Sequence, residues 1–120
     1  MPWFVAHAIF CVKLKEGPQS EFPVWENMYL IQAPSHEAAF EEAIQLAKQI
    51  EESTKEITYD GKPALQLFKG IRKVISTTDS NLESALEPGA ELTYAQYEVL
   101  TEEEVNLLAE GKAVKVNYLE

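Results

Sequence analysis

The stretch Trp3-Phe4-Val5-Ala6-His7-Ala8-Ile9-Phe10-Cys11-Val12-Lys13-Leu14 decides the fold. Its even positions, Phe4, Ala6, Ala8, Phe10, Val12 and Leu14, are all apolar. Its odd positions Trp3, Val5, Ile9 and Cys11 are apolar as well, and His7 is the exception. A strand that is apolar on both faces belongs in the middle of a sheet covered on both sides. The two alanines leave room for a helix lying across the even face. Glu16-Gly17-Pro18 then signals a turn.

A second strand runs from residue 22 to 33, with Phe22, Val24, Met28 and Leu30 on one face, interrupted by Glu26. Trp25, Tyr29 and Ile31 take the other face. Pro23 cannot donate to a ladder, so this strand starts at an edge or a bulge.

Ser35 is a good N-cap, and Phe40, Ala43, Ile44, Ala47 and Ile50 recur at helical spacing, which predicts a helix ending near Glu52 or Ser53. Ile57 and Tyr59 open a short strand, and Asp60-Gly61 favours a tight turn. Leu65 to Ile75 reads as a longer strand whose alternation breaks at Phe68–Gly70, where a bulge is expected. Thr77 to Ala90 is polar and reads as a loop, with at most a helical turn at Leu82–Leu86 and a close at Pro88-Gly89.

A fifth strand follows from Glu91 to Val99. Thr101-Glu102-Glu103-Glu104 fits a capping box for a short helix, with Val105, Leu108 and Ala109 inward and Gly111 as its stop. Val114, Val116 and Tyr118 alternate as a closing strand. The expected fold is therefore α+β, one domain over residues 1–120, in the order β-β-α-β-β-β-α-β. The sheet is mostly antiparallel, with one long helix packed on one face.

The chain has 120 residues, with 46% hydrophobic and 25% charged, enough for one core without a disulfide or metal staple. Twenty acidic residues against ten basic ones give a net charge of −10. Such a field repels phosphate backbones and anionic membranes, so neither nucleic acid nor membrane is an expected partner. No signal segment or apolar span is evident, which makes the cytoplasm the default location. Cys11 is the lone cysteine and reads as a small core residue. No glycine-rich phosphate loop or nucleophile motif appears, and no cofactor is implied. His7 and His36 are the only histidines and have no ligand spacing, so no metal site is expected.

Trp3-Phe4-Val5-Ala6, Trp25-Glu26 leading to Ile31 and Ala33, the Glu/Ala-rich helix after Ser35, Phe68-x-Gly70-Ile71 and Gly89-x-Glu91-Leu92 form a recognisable set. Over roughly residues 3 to 95 the chain resembles a family of small bacterial proteins known as a domain of unknown function. The resemblance implies the element order above and brings no activity, cofactor or catalytic residue. In that family the position of His7 is usually Lys or Arg.

His7 and Glu26 are the two polar intruders in the first hairpin. If the hairpin turns about Glu16-Gly17, His7 faces Glu26, Trp3 faces Leu30 and Cys11 faces Phe22. This pair could be a base held by a carboxylate. The favoured reading is a partly buried ion pair that fixes register. Lys69, Arg72 and Lys73 form a basic cluster, read as a solvated strand face with edge lysines against aggregation, the alternative being contact with an acidic partner or with the acidic helix of a second copy. His36 reads as a solvated first-turn residue.

Trp3, Trp25, Tyr29, Tyr94 and Tyr97 are candidates for either core or an interaction surface. The leading functional expectation is a non-catalytic interaction module that binds a protein partner or itself as a homo-oligomer. It would act through an aromatic surface built on Trp3, Trp25, Tyr29 and Tyr94, or through acidic helix faces. The alternative is a small-molecule binder or weak enzyme with a pocket where His7 and Glu26 converge.

Overall fold

The computed structural model describes residues 2–76, 88 and 91–118. Among the described residues, six strands and two helices follow one another as β1 (Trp3–Leu14), β2 (Phe22–Gln32), α1 (His36–Thr54), β3 (Glu56–Tyr59), β4 (Lys62–Ser76), β5 (Glu91–Val99), α2 (Glu102–Ala109) and β6 (Asn117–Tyr118). The strands form one sheet in the order β3-β4-β1-β2-β5-β6. Every neighbouring pair is antiparallel. The α+β class and element order match the reading of the sequence. The loop expected at Thr77–Ala90 lies outside the described residues, apart from Pro88 in a turn.

The two faces of β1 make two cores. Phe4, Ala6, Ala8 and Phe10 pack with Tyr29, Ile31 and the α1 residues Ala39, Ala43 and Ala47. Ile9 and Cys11 pack with Phe22, Val24, Tyr97, Val99 and the α2 residues Val105 and Leu108. The alanines of β1 thus meet the alanines of α1, and methyl against methyl brings the helix close to the sheet. Ala43, Ile44, Ala47 and Ile50 of the expected helix stripe join this core, and the stripe is corrected at one position: Ala39 is buried, whereas Phe40 is 37% exposed.

The first hairpin turns one step later than expected. Trp3 pairs with Gln32, His7 with Met28, Ile9 with Glu26 and Cys11 with Val24, so the centre lies at Gly17-Pro18. The reason is Gln19. Its Oε1 accepts from the Leu14 N–H at 2.9 Å, and its Nε2 donates to the carbonyls of Val12 at 2.8 Å and Glu21 at 3.1 Å. One side chain thereby closes a longer loop than a tight turn at Glu16-Gly17 would give. The slip is by two residues, so every side chain keeps its face.

β4 departs twice from regular pairing. Phe68 faces Phe10 and Gly70 faces Ile9, leaving Lys69 extra, and Ile71 faces Ala8 while Lys73 faces His7, leaving Arg72 extra. The expected bulge at Phe68–Gly70 is present and a second follows. Together they let Phe68, Ile71 and Val74, three apart, all join the α1 core.

α1 also covers the outer edge of β4. Glu51 Oε2 accepts from the Phe68 N–H at 2.7 Å, the Lys55 carbonyl accepts from Gln66 N–H at 2.9 Å, and His36 Nε2 donates to the Val74 carbonyl at 2.8 Å. His36 also stands edge-on to the Phe4 ring. It is exposed in the first turn of α1, as expected, and in addition makes a structural contact to an otherwise open strand edge.

The capping signals read as expected. Ser35 Oγ accepts from Ala38 N–H, and Thr101 Oγ1 accepts from Glu104 N–H. At the end of α2, the Gly111 N–H donates to the Leu108 carbonyl and the Lys112 N–H to the Leu107 carbonyl, a Schellman close. The tail beyond it forms a two-residue strand, shorter than the expected run from Val114 to Tyr118. Val114 and Val116 instead pack as half-buried residues against the α2 core.

Gly111 has φ 82°, and a Cβ there would lie 2.9 Å from the Arg72 carbonyl oxygen. Gly61 has a similar φ of 76° with nothing within 4 Å. Gly61→Ala should cost about 1 kcal/mol from backbone strain alone, and Gly111→Ala at least about twice that. Urea unfolding of both variants checks this; equal losses would mean that α2 does not seat tightly on β4.

Candidate functional site: a buried carboxylate and its donors

Glu26 sits in β2 on the α2 side of the sheet and is 4% exposed. An ionised carboxylate this deep needs partners, because burial removes its water. Three other strands supply them. His7 Nδ1 of β1 donates to Oε2 at 2.6 Å, Arg72 Nη2 of β4 donates to the same oxygen at 2.6 Å, and the Tyr97 hydroxyl of β5 donates to Oε1 at 2.8 Å. His7 reaches Glu26 diagonally, since Met28 is directly opposite it; diagonal neighbours lie within reach of long side chains.

Arg72 meets Glu26 from the second bulge, and the extra residue aims the guanidinium at β2 across β1. The expected solvated face of Lys69, Arg72 and Lys73 is corrected accordingly. Arg72 is in the site, Lys69 lies 3.8 Å from Glu102 on α2, and Lys73 is exposed.

Burial alone would raise the Glu26 pKa. Hydrogen bonds from His7, Arg72 and Tyr97, together with the charge of Arg72, outweigh that and bring it from 4.5 down to about 2. The Tyr97 phenol moves the other way, pushed up by burial and by the carboxylate it serves. Arg72 is raised by its bond to Glu26. Cys11 is buried and its thiol is pushed up to about 11 by burial, so it is an inert core residue. At neutral pH Glu26 is thus a carboxylate with both oxygens engaged. It is poorly placed to take or give a proton.

The remaining candidates fall elsewhere. Trp3 is 5% exposed, and its Nε1 is buried with no hydrogen-bond partner among the described residues. Trp25 is half-buried against the α1 core. Tyr29 is 5% exposed, and its hydroxyl accepts from Asn27 Nδ2 at 3.0 Å. Tyr94 pairs with Asn27 through the backbone, and its side chain lies outside the described residues. His7 and Glu26 are therefore brought together, and Trp3, Trp25 and Tyr29 belong to core packing.

Beside Glu26 lies a cavity of about 200 Å³, lined also by Arg72, Tyr97, Leu108, Lys112, Val114, Val116 and Tyr118. His7 is not among its lining residues, so among the described residues this cavity takes Glu26 without His7. Arg72, Lys112 and Tyr118 were not singled out from the sequence as site residues. The sequence signals for Arg72 were its place in the basic cluster with Lys69 and Lys73 and its neighbourhood to the expected bulge.

The family model described as Domain of unknown function (DUF4288) matches residues 3–94. The chain belongs to this family. His7, Glu26 and Arg72 lie within the DUF4288 match, while Tyr97, α2 and the 112–118 wall of the cavity lie beyond it. Neither the curated proteins nor the solved structures contain a match.

The Glu26 pKa lies below its unfolded value, so the carboxylate contributes stability that is complete above about pH 4.5 and is lost as pH falls toward about 2. That difference corresponds to about 3 kcal/mol. Glu26→Gln should lose about 3–5 kcal/mol at pH 7, with the gap to wild type closing below pH 4.5. Urea unfolding across pH 2–7 measures it, and a gap unchanged at pH 2 would disprove the ionised hub.

Proposed function

We propose that this chain is a non-catalytic interaction module, and that the exposed acidic face of α1 binds a basic surface on another protein. The observation that carries this reading is a set of unpaired charges. Glu37, Glu41, Glu42 and Glu52 are exposed, and among the described residues none of them makes an ion pair. The helix has a single lysine, Lys48. Glu37 and Glu41 stand one turn apart, an arrangement that costs a helix a few tenths of a kcal/mol. Phe40 is exposed between them, which adds an apolar anchor to the charged face.

The saturated state of Glu26 supports the non-catalytic part of the reading. The burial of Trp3 and Tyr29 favours the acidic surface over the aromatic one as its basis. A second copy meeting this face symmetrically would set the same carboxylates against each other, so the partner is a different protein. The net charge of −10 speaks against nucleic acid in the same way.

The test is affinity capture from native lysate in salt steps, comparing wild type with Glu41→Lys/Glu42→Lys and with Phe40→Ala. A partner retained by wild type should elute with salt and bind the doubly reversed variant roughly tenfold or more weakly. Equal retention by the folded charge-reversed variant would rule out the acidic face of α1.

A further inference from the structure

We infer that the cavity between Glu26 and residues 112–118 binds a small monocarboxylate with a compact apolar body. It lies on the α2 side of the sheet, opposite α1, and does not depend on the role proposed for α1.

The groups lining the cavity decide the sign of the ligand. Glu26 has both oxygens engaged by His7, Arg72 and Tyr97, and the Tyr97 hydroxyl is committed to Glu26. What remains to face an occupant is a set of donors. Arg72 uses Nη2 on Glu26, and its side chain keeps 29% of its exposure. Lys112 supplies an ammonium group and Tyr118 a hydroxyl. Two cations against one carboxylate leave this cavity positive in a protein whose net charge is −10. Lys112 also pairs with Glu110 at 3.1 Å, but both side chains are more than half exposed, so that pair is weak and exchangeable.

The walls decide the rest of the ligand. Leu108, Ala113, Val114 and Val116 make one side apolar, and the rings of Tyr97 and Tyr118 stand edge to face at 5.5 Å. A volume of about 200 Å³ is that of roughly six or seven waters, the size of an acid of a few carbons. Arg72 is a planar fork already held in place by Glu26, so it meets a carboxylate with little further ordering. A phosphate dianion fits less well, since it would carry a second charge toward Glu26 and leave the apolar wall unused.

The experiment is an amide NMR titration of the intact chain with butyrate, and separately with butyramide, butylamine and inorganic phosphate. Butyrate should give saturable shifts centred on Arg72, Lys112, Val116 and Tyr118. Lys112→Ala should weaken binding roughly tenfold, and Val116→Phe, which fills the cavity, should remove it. Lys112 is surface-exposed, so its variant tests charge without risk to the core. Absence of saturable shifts with butyrate would overturn the inference. So would equal binding of butyramide or phosphate, or unchanged binding in both variants.

Discussion

A carboxylate placed in the interior of a sheet has two stable options: to hold a proton, or to gather enough donors to remain charged. Glu26 takes the second, and most of the architecture can be traced to it. Its donors come from β1, β4 and β5, so one side chain on β2 engages all four central strands. Buried ion pairs add little net stability over an apolar core of the same shape. Their effect here is on register. A slip of one residue in β2 would turn Glu26 into the alanine-lined α1 face, away from Arg72 and Tyr97. The hub therefore selects one alignment of the sheet out of several that the apolar pattern alone would accept.

The two faces of the sheet are finished by different means. On one side, Ala39, Ala43 and Ala47 lie against β1, and α1 holds its position partly by hydrogen bonds to the β4 edge. On the other, α2 is short and is seated by backbone contact. A Cβ on Gly70 would lie 3.0 Å from the Cβ and carbonyl oxygen of Ala109. Gly111 makes the corresponding close approach to Arg72. The end of α2 is thus fixed against the same bulged segment that presents Arg72 to Glu26, which joins the helix, the hub and the cavity wall into one unit.

The sequence showed the element order because its signals were local: alternation in β1, caps at Ser35 and Thr101, the turn at Asp60-Gly61. Both positions of that turn have positive φ. Face assignments were legible too, because they depend on parity, and the two-residue slip in the hairpin preserved parity. The slip itself was hidden in Gln19, whose role depends on three-dimensional reach to Val12 and Leu14. His7 and Glu26 could be matched as lone polar residues on facing strands. Arg72 and Tyr97 could not, since they are 46 and 71 residues from Glu26 in the chain, and nothing in their own surroundings marks them as its partners. Phe40 misled for a related reason: its helical spacing suits the core, but the close alanine contact leaves no room for a ring.

The bulges in β4 bear on how this chain can change in length. Along their shared ladder, β4 carries two residues more than β1 requires, and those two are Lys69 and Arg72. Loss of either would leave every other residue of the strand opposite its present partner, so the alignment does not distinguish between them. Their side chains do. A deletion at Lys69 removes a surface charge near α2 and straightens the strand. A deletion at Arg72 keeps the same alignment but strips Glu26 of its guanidinium partner. The strand is thus tolerant of shortening at one position and intolerant at another three residues away, although the two are geometrically equivalent.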